Sequence, residues 1–226
     1  MIREVEMQTD SLKEMKDFYE NILGLTVVQE QSASFSVQAG DSRLTFKQSD
    51  LSRQEKYHFA FNIPENQIDE ALRWITPKVS VIPNEGQEVV HFESWNADSI
   101  YFNDPAGNIV ELIARHNLNN SANAAFSPAS LLCVSEIGLP VADVEEALLK
   151  LSRVGLDPWR NYSSQFAAVG DEHGLIIAVK QGRVWFMSDQ EEAYPHPLTI
   201  RTDVCEITLD DIEGMSTLKL HNKESE

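Results

Sequence analysis

Three stretches of the sequence repeat one pattern, in which a strand is followed by a helix and then by further strands. In each stretch, a polar residue of the first strand stands seven positions before the residue that begins the helix. These pairs are Glu4 and Ser11, His58 and Glu65, and Glu136 and Asp143. Repetition at a fixed spacing indicates that one structural unit has been used several times. We therefore predict an α+β chain built from repeated βαβββ modules.

The repeats divide the chain into segments with different expected roles. Two complete modules are predicted at residues 1–50 and 55–116, which together form one domain. Residues 117–130 are rich in Asn, Ser and Ala without sustained periodicity, and we interpret them as a linker. A third βαβββ-like module is predicted at 131–212. Residues 213–226 have the composition of a flexible acidic tail.

The end of the second module carries the most distinctive motif. The segment 100–102 is apolar, 103–108 reads Asn-Asp-Pro-Ala-Gly-Asn, and 109–114 is rich in β-forming residues. Pro105 fixes φ and Gly107 can adopt a positive φ, so the middle is a tight turn between two strands. Glu111 stands within the second strand, either on a solvated face or as a buried carboxylate that needs a partner.

This motif resembles the end of a module in the vicinal-oxygen-chelate superfamily, in which a strand, an Asp-Pro-x-Gly-Asn turn and a strand that carries a Glu follow one another. The superfamily includes glyoxalases, extradiol dioxygenases, fosfomycin-resistance enzymes and bleomycin-binding proteins. The resemblance implies that two modules pair into a cupped sheet that holds a divalent metal. It also implies that the ligands come from first and last strands, which here are Glu4, His58 and Glu111.

Each of these ligands has an alternative interpretation. Glu is mostly exposed in proteins, so Glu4 alone is also consistent with a residue at a strand edge. His58 alone is consistent with a core or surface histidine. Glu136 has no acidic partner in the last strand of its own module, so we interpret it as structural or as the remnant of a lost site.

The expected metal site departs from the best-known members of the superfamily. Extradiol dioxygenases have His at the Glu4 position, and glyoxalases commonly have four ligands. One His with two carboxylates is a harder site, and we expect Fe, Mn, Zn or Ni as the divalent ion.

The segment from His91 to Trp95 lies before the last two strands of the second module and is expected to border the cup. We predict His91 as a catalytic acid or base, and Trp95 and Tyr101 as substrate-binding residues. An ordinary loop with a packed Trp is the alternative.

Composition limits the possible partners and compartment. The formal charge of -18 disfavours binding to nucleic acid or to anionic membranes, whose phosphates attract Lys and Arg. Two cysteines give no disulfide framework, and neither a signal peptide nor a membrane-spanning apolar run is evident. We expect a cytoplasmic protein.

Two classes of function fit these features. The first is a metal-dependent enzyme, dioxygenase-like or glyoxalase/lyase-like, that acts on a small oxygen-chelating substrate. The second is a metal-free small-molecule binding protein of the bleomycin-resistance type. A degenerate scaffold is a third option. An unpaired third module would expose a sheet edge, so we also predict a homodimer.

Overall fold

The computed structural model describes residues 1–49, 54–188, 190–212 and 215–222. The first module contains β1 (Ile2–Thr9), α1 (Leu12–Asp17), a π-helical turn (Phe18–Ile22), β2 (Thr26–Gln31), β3 (Ser34–Ala39) and β4 (Ser42–Gln48). The second contains β5 (His58–Ile63), α2 (Ile68–Ile75), β6 (Val81–Ile82), β7 (Val90–Phe92), a 3₁₀ turn (Glu93–Trp95), β8 (Ala97–Asn103) and β9 (Ile109–Arg115).

The third module contains β10 (Cys133–Val141), α3 (Val144–Ser152), β11 (Phe166–Asp171) and β12 (Gly174–Lys180), and a 3₁₀ turn (Pro128–Ser130) precedes it. Its helix begins as the sequence predicts, because Asp143 Oδ1 accepts a hydrogen bond of 2.9 Å from the Glu146 backbone N–H. Three further strands follow, which are β13 (Leu198–Thr202), β14 (Cys205–Ile212) and β15 (Met215–Asn222). The predicted α+β class and repeated modules are confirmed.

The strands form two sheets. The order in the first sheet is β15-β14-β13-β1-β4-β3-β2, and in the second it is β11-β12-β10-β5-β9-β8-β6, with β7 also paired to β8. Within each repeat, the first strand pairs in parallel with the last, as in β1 with β4 and β5 with β9. One hydrophobic cluster joins residues of both sheets and all three helices, including Val5, Phe46, Phe59, Val110 and Ile137.

The pairing of modules differs from the expectation. The first strands of the second and third modules, β5 and β10, pair antiparallel, whereas β1 pairs with β13. Modules one and two therefore lie in different sheets. The third module is not unpaired, so the argument that an open sheet edge requires a homodimer does not hold.

The expected tail also differs. Residues 215–222 form β15, which pairs antiparallel with β14, so this part of the chain extends the first sheet. Residues 213, 214 and 223–226 lie outside the described residues, as do 50–53.

The segment at 117–130 is mostly without regular structure and lies beside the start of α2. Asn120 Oδ1 accepts a hydrogen bond from the Glu65 backbone N–H at 2.9 Å, and Glu70 Oε2 accepts one from that of Phe126 at 3.1 Å. In the described ranges, no helix is long and apolar enough to span a membrane.

Candidate metal centre

Three ionisable side chains meet on one face of the second sheet. His58, Glu111 and Glu136 lie on β5, β9 and β10, which are adjacent strands. The alternate residues Phe59 and Leu112 belong to the main hydrophobic cluster, because successive residues of a strand face opposite sides. A shift of the β5–β10 register between Val134 and Glu136 marks a bulge beside Glu136.

The three side chains are close together and almost inaccessible. His58 Nε2 lies 3.6 Å from Glu111 Oε2 and 3.9 Å from Glu136 Oε2. One donor atom from each residue lies within 4.8 Å of the other two. The exposed fractions of the side chains are 11% for His58, 3% for Glu111 and 6% for Glu136. This is the only group of three such residues with this spacing among the described residues.

Each ligand candidate has a second contact that fixes its orientation. His58 Nδ1 donates a hydrogen bond to the Ile109 carbonyl at 3.2 Å, which leaves Nε2 directed at the two carboxylates. The fully buried Arg115 donates from Nη2 to Glu136 Oε1 and from Nε to Asn62 Oδ1 at 3.1 Å. Glu136 therefore offers its other oxygen, Oε2, to the cluster.

The two carboxyl groups differ in protonation. Burial, together with the nearby charge of Glu136, raises the pKa of Glu111 to about 7. Burial also opposes ionisation of Glu136, but the charges of Arg115 and His58 outweigh it and lower the pKa of that carboxyl. Burial would lower the pKa of His58, yet Glu136 and Glu111 outweigh burial and raise it. Glu136 is thus the ionised member and Glu111 the one that exchanges a proton near neutral pH.

The cluster opens into a cavity of about 250 Å³. Its walls are mainly aromatic and aliphatic, and one further cation, Arg183, also lines it. The apolar lining residues are Phe92, Trp95, Tyr101, Ile113, Phe166, Ile177, Trp185 and Phe186. The centre of the Trp185 ring lies 5.5 Å from that of His58, so the indole packs beside the imidazole at the cavity wall.

Both predicted substrate-binding residues, Trp95 and Tyr101, line the cavity. Burial, and then the charge of Glu111, raise the pKa of Tyr101 well above its usual value, so its hydroxyl keeps its proton.

His91 lies elsewhere. Its side chain is 63% exposed, it does not line the cavity, and its Nδ1 lies 2.8 Å from Asp98 Oδ1. Alternation along β7 explains this position, because the neighbouring Val90 and Phe92 face the apolar side that borders the cavity. The prediction of His91 as a catalytic acid or base has no geometric support.

Glu4 is not part of the cluster either, so its grouping with His58 and Glu111 is corrected. It lies on β1 in the other sheet, where Arg201 Nη1 is 3.1 Å from its Oε2 and Arg43 Nε is 3.5 Å from its Oε1. The physical reason is the pairing of β1 with β13 instead of β5.

Sequence reasoning missed Glu136 as a ligand candidate, although the seven-residue offset identified its position. The acidic partner that Glu136 lacks in its own module is Glu111, which belongs to the second module. The segment that carries Arg183, Trp185 and Phe186 has no periodicity that would have indicated a cavity wall.

Comparisons with known proteins agree with this architecture. The family model of the Glyoxalase/Bleomycin resistance protein/Dioxygenase superfamily matches residues 2–112. Among curated proteins, no sequence matches this chain significantly.

Solved structures resemble the chain at low sequence identity. A Bacillus subtilis protein described as a dioxygenase candidate is 15% identical with a TM-score of 0.58, over 79% of this chain and 63% of its own. Lactoylglutathione lyase from Agrobacterium tumefaciens is 21% identical with a TM-score of 0.43, over 50% of this chain and 92% of its own. The first of these supports the fold alone. Through this match, residues 2–112 of the chain belong to the Glyoxalase/Bleomycin resistance protein/Dioxygenase superfamily.

Proposed function

We propose that this chain is a divalent-metal-dependent enzyme that acts on a small oxygen-chelating substrate. His58, Glu111 and Glu136 would hold the ion. The observation that carries the proposal is the convergence of three buried donor atoms, all within 4.8 Å, on the floor of an otherwise mostly apolar cavity. Burying two carboxylates and an imidazole costs free energy unless a bound cation or another charged group compensates for the lost water.

The donor set fits a divalent ion. Bonds from His or carboxylate to such an ion are about 2.0–2.2 Å, so two ligands of one ion lie at most about 4.4 Å apart. The separations of 3.6 and 3.9 Å from His58 Nε2 are within that limit. One imidazole and two carboxylates suit Fe, Mn, Zn or Ni, and three protein ligands leave positions open for a substrate.

When bound, such an ion supplies Lewis-acid stabilisation to an oxyanion of the substrate. The chain's own residues prepare the surroundings. The aromatic walls exclude water, the protonated Tyr101 hydroxyl can donate a hydrogen bond, and Glu111 can hold or release a proton near neutral pH.

Metal content tests the proposal. Wild type, Glu111→Gln and Glu4→Gln are purified without chelator and measured by elemental analysis, then titrated with Mn²⁺. We expect about one equivalent in wild type and Glu4→Gln. Loss of a direct ligand in Glu111→Gln should weaken Mn²⁺ binding by more than the roughly 10–100-fold that loss of a second-sphere partner causes.

Glu4→Gln is the matched control, since Glu4 stands at the same offset on the first strand of its module but in the other sheet. Equal binding by all three proteins would refute the assignment of the ligands. Equal loss in both variants would refute it as well.

A metal-free binding protein is the second candidate, and one observation favours it. The charge of Arg115 and a protonated His58 can balance both carboxylates without an ion. Absence of metal from wild type after soaking with several divalent ions would decide for this candidate.

A further inference from the structure

Arg183 lines the same cavity as the His58 cluster but takes no part in that cluster. Its side chain is half-buried, and its guanidinium carbon lies 5.1 Å from the centre of the Phe166 ring. Among the residues that the structure describes, no carboxylate pairs with it. An arginine keeps its charge in proteins, so a partly desolvated cation without a counter-ion is held beside the cavity.

This situation is unusual within the molecule, which carries a formal charge of -18. The other described arginines that are at least partly buried have acidic partners, as in Arg43 with Glu4, Arg115 with Glu136 and Arg201 with Glu206. The remaining described arginines without an acidic partner, Arg73, Arg153 and Arg160, are exposed to solvent. With acidic residues in twofold excess over basic ones, a partly buried arginine without such a partner stands out. A ligand anion would complete its interactions.

The backbone around Arg183 is ordered by hydrogen bonds. The Ala193 N–H donates to the Arg183 carbonyl at 2.8 Å, and the Trp185 N–H donates to the Glu191 carbonyl at 2.9 Å. These contacts join residues 182–185 to residues 191–193 and hold the backbone of Arg183 and Trp185 beside the cavity. Because the guanidinium also stacks on the Phe166 ring, it is positioned before any ligand arrives, which lowers the entropic cost of binding.

The charges around the cavity also admit an anion. Arg115, which pairs with Glu136, and Arg183 on the cavity wall equal in number the two carboxylates of the site, Glu136 and Glu111. A divalent ion at the cluster would add positive charge. The cavity is thus neutral to positive although the chain as a whole is strongly acidic, and its walls are aromatic.

From this arrangement, we infer that the cavity takes a small aromatic carboxylate whose carboxyl group pairs with Arg183 and whose body lies between the aromatic walls. The planar guanidinium matches a carboxylate through two parallel hydrogen bonds. A volume of about 250 Å³ is below the roughly 300–1,000 Å³ of drug-sized sites, so the ligand is small. The inference rests on the proposed function only in taking this cavity as the substrate site.

Benzoate and its neutral isostere benzamide provide the test. Their dissociation constants are measured by calorimetry on the protein as purified and again after metal removal. Wild type should prefer benzoate by about tenfold or more, since hydrogen bonds to charged groups are roughly twice as strong as neutral ones. Arg183→Gln should remove this preference, and Arg183→Lys should keep part of it.

Arg160→Gln is the matched control, because Arg160 also stacks on an aromatic ring, 4.1 Å from the centre of Trp159, but is exposed and does not line the cavity. It should retain the wild-type preference. Absence of the preference in wild type, its survival in Arg183→Gln, or its equal loss in Arg160→Gln would each overturn the inference.

The experiments can refute either proposal without the other. If metal binds at the cluster but the protein shows no preference for benzoate, only the carboxylate site at Arg183 is refuted. If the protein binds no metal but prefers benzoate in a way that depends on Arg183, the metal-dependent enzyme is refuted and the anion-binding cavity is supported.

Discussion

The two sheets place a polar residue at the same offset on a first strand but surround it differently. In the first sheet, Glu4 of β1 stands opposite Arg201 of β13 and also contacts Arg43 and Thr45. Arg201 in turn contacts Glu206 at 2.7 Å. The carboxylate of Glu4 therefore has its interactions satisfied by partly exposed cations.

In the second sheet, the corresponding His58 contacts two carboxylates, and no cation among the described residues pairs with it. Ile137 pairs with Phe59, and continuing this register by one residue places Gly138 opposite His58. Gly138 has no side chain, and the ring of Trp185 occupies the space above it. The cation of this sheet, Arg115, lies behind Glu136 and is fully buried.

The comparison shows that the repeated strand position does not determine the chemistry. An arginine opposite the position produces a surface ion pair, whereas a glycine opposite it leaves room for Trp185, which lines the cavity beside the histidine. The residue across the strand pair is contributed by a distant part of the chain in both sheets.

Removal of the buried cation should have the largest effect. Arg115→Gln removes the directly hydrogen-bonded cation of the buried Glu136, so we expect the free energy of unfolding to fall by about 3–5 kcal/mol. Arg201→Gln removes the corresponding cation of the first sheet, which is 37% exposed, and should cost at most about 1 kcal/mol. Urea unfolding followed by tryptophan fluorescence measures both. Similar losses in the two variants would contradict the contrast between the sheets.

Much of this fold follows from local sequence. The turn before β9 is an example, because Asp104 Oδ1 accepts hydrogen bonds of 3.0 Å from the backbone N–H groups of Ala106 and Asn108, and Gly107 has a φ of 80°. Such contacts span a few residues, so residue types at fixed spacing are enough to predict them.

The site is only partly predictable for the same reason. His58 and Glu111 belong to one module, whose first and last strands pair in parallel. The seven-residue offset identifies His58, and the Asp-Pro-x-Gly-Asn turn identifies Glu111. Glu136 joins them only because β5 pairs with β10 and not with β1, and both pairings satisfy the same alternation of apolar residues. The choice depends on the packing of the whole chain, including β13 to β15, which no local pattern encodes.

Protonation of Glu111 gives the next largest effect. Its pKa is raised in the folded protein from the ordinary 4.5 to about 7, so the folded state binds more protons than the unfolded state between these values. The stability of metal-free protein should therefore fall as pH rises through this window, by roughly 2–3 kcal/mol from this group. His58 and Asp104, whose pKa values are also raised, contribute in the same direction.

Glu111→Gln cannot ionise and should show a flatter dependence of unfolding free energy on pH between 5 and 8. Above pH 7, without metal, the variant should be more stable than wild type. Added Mn²⁺ should reverse the trend in wild type alone, since the ion favours the ionised carboxylate. Parallel curves for the two metal-free proteins would exclude Glu111 as the titrating group.

The smallest effect concerns the glycine that distinguishes the two sheets. A Cβ atom on Gly138 would lie 2.5 Å from Cη2 of Trp185, so Gly138→Ala must displace the indole from its place beside His58. Overpacking of this kind costs about 1–3 kcal/mol, and we expect about 1 kcal/mol because the ring belongs to a loop. Trp185→Phe lacks the outer ring, so the alanine should cost less in that background. A double-mutant cycle of unfolding free energies measures the difference, and an unchanged cost would mean that Gly138 does not act by making room for Trp185.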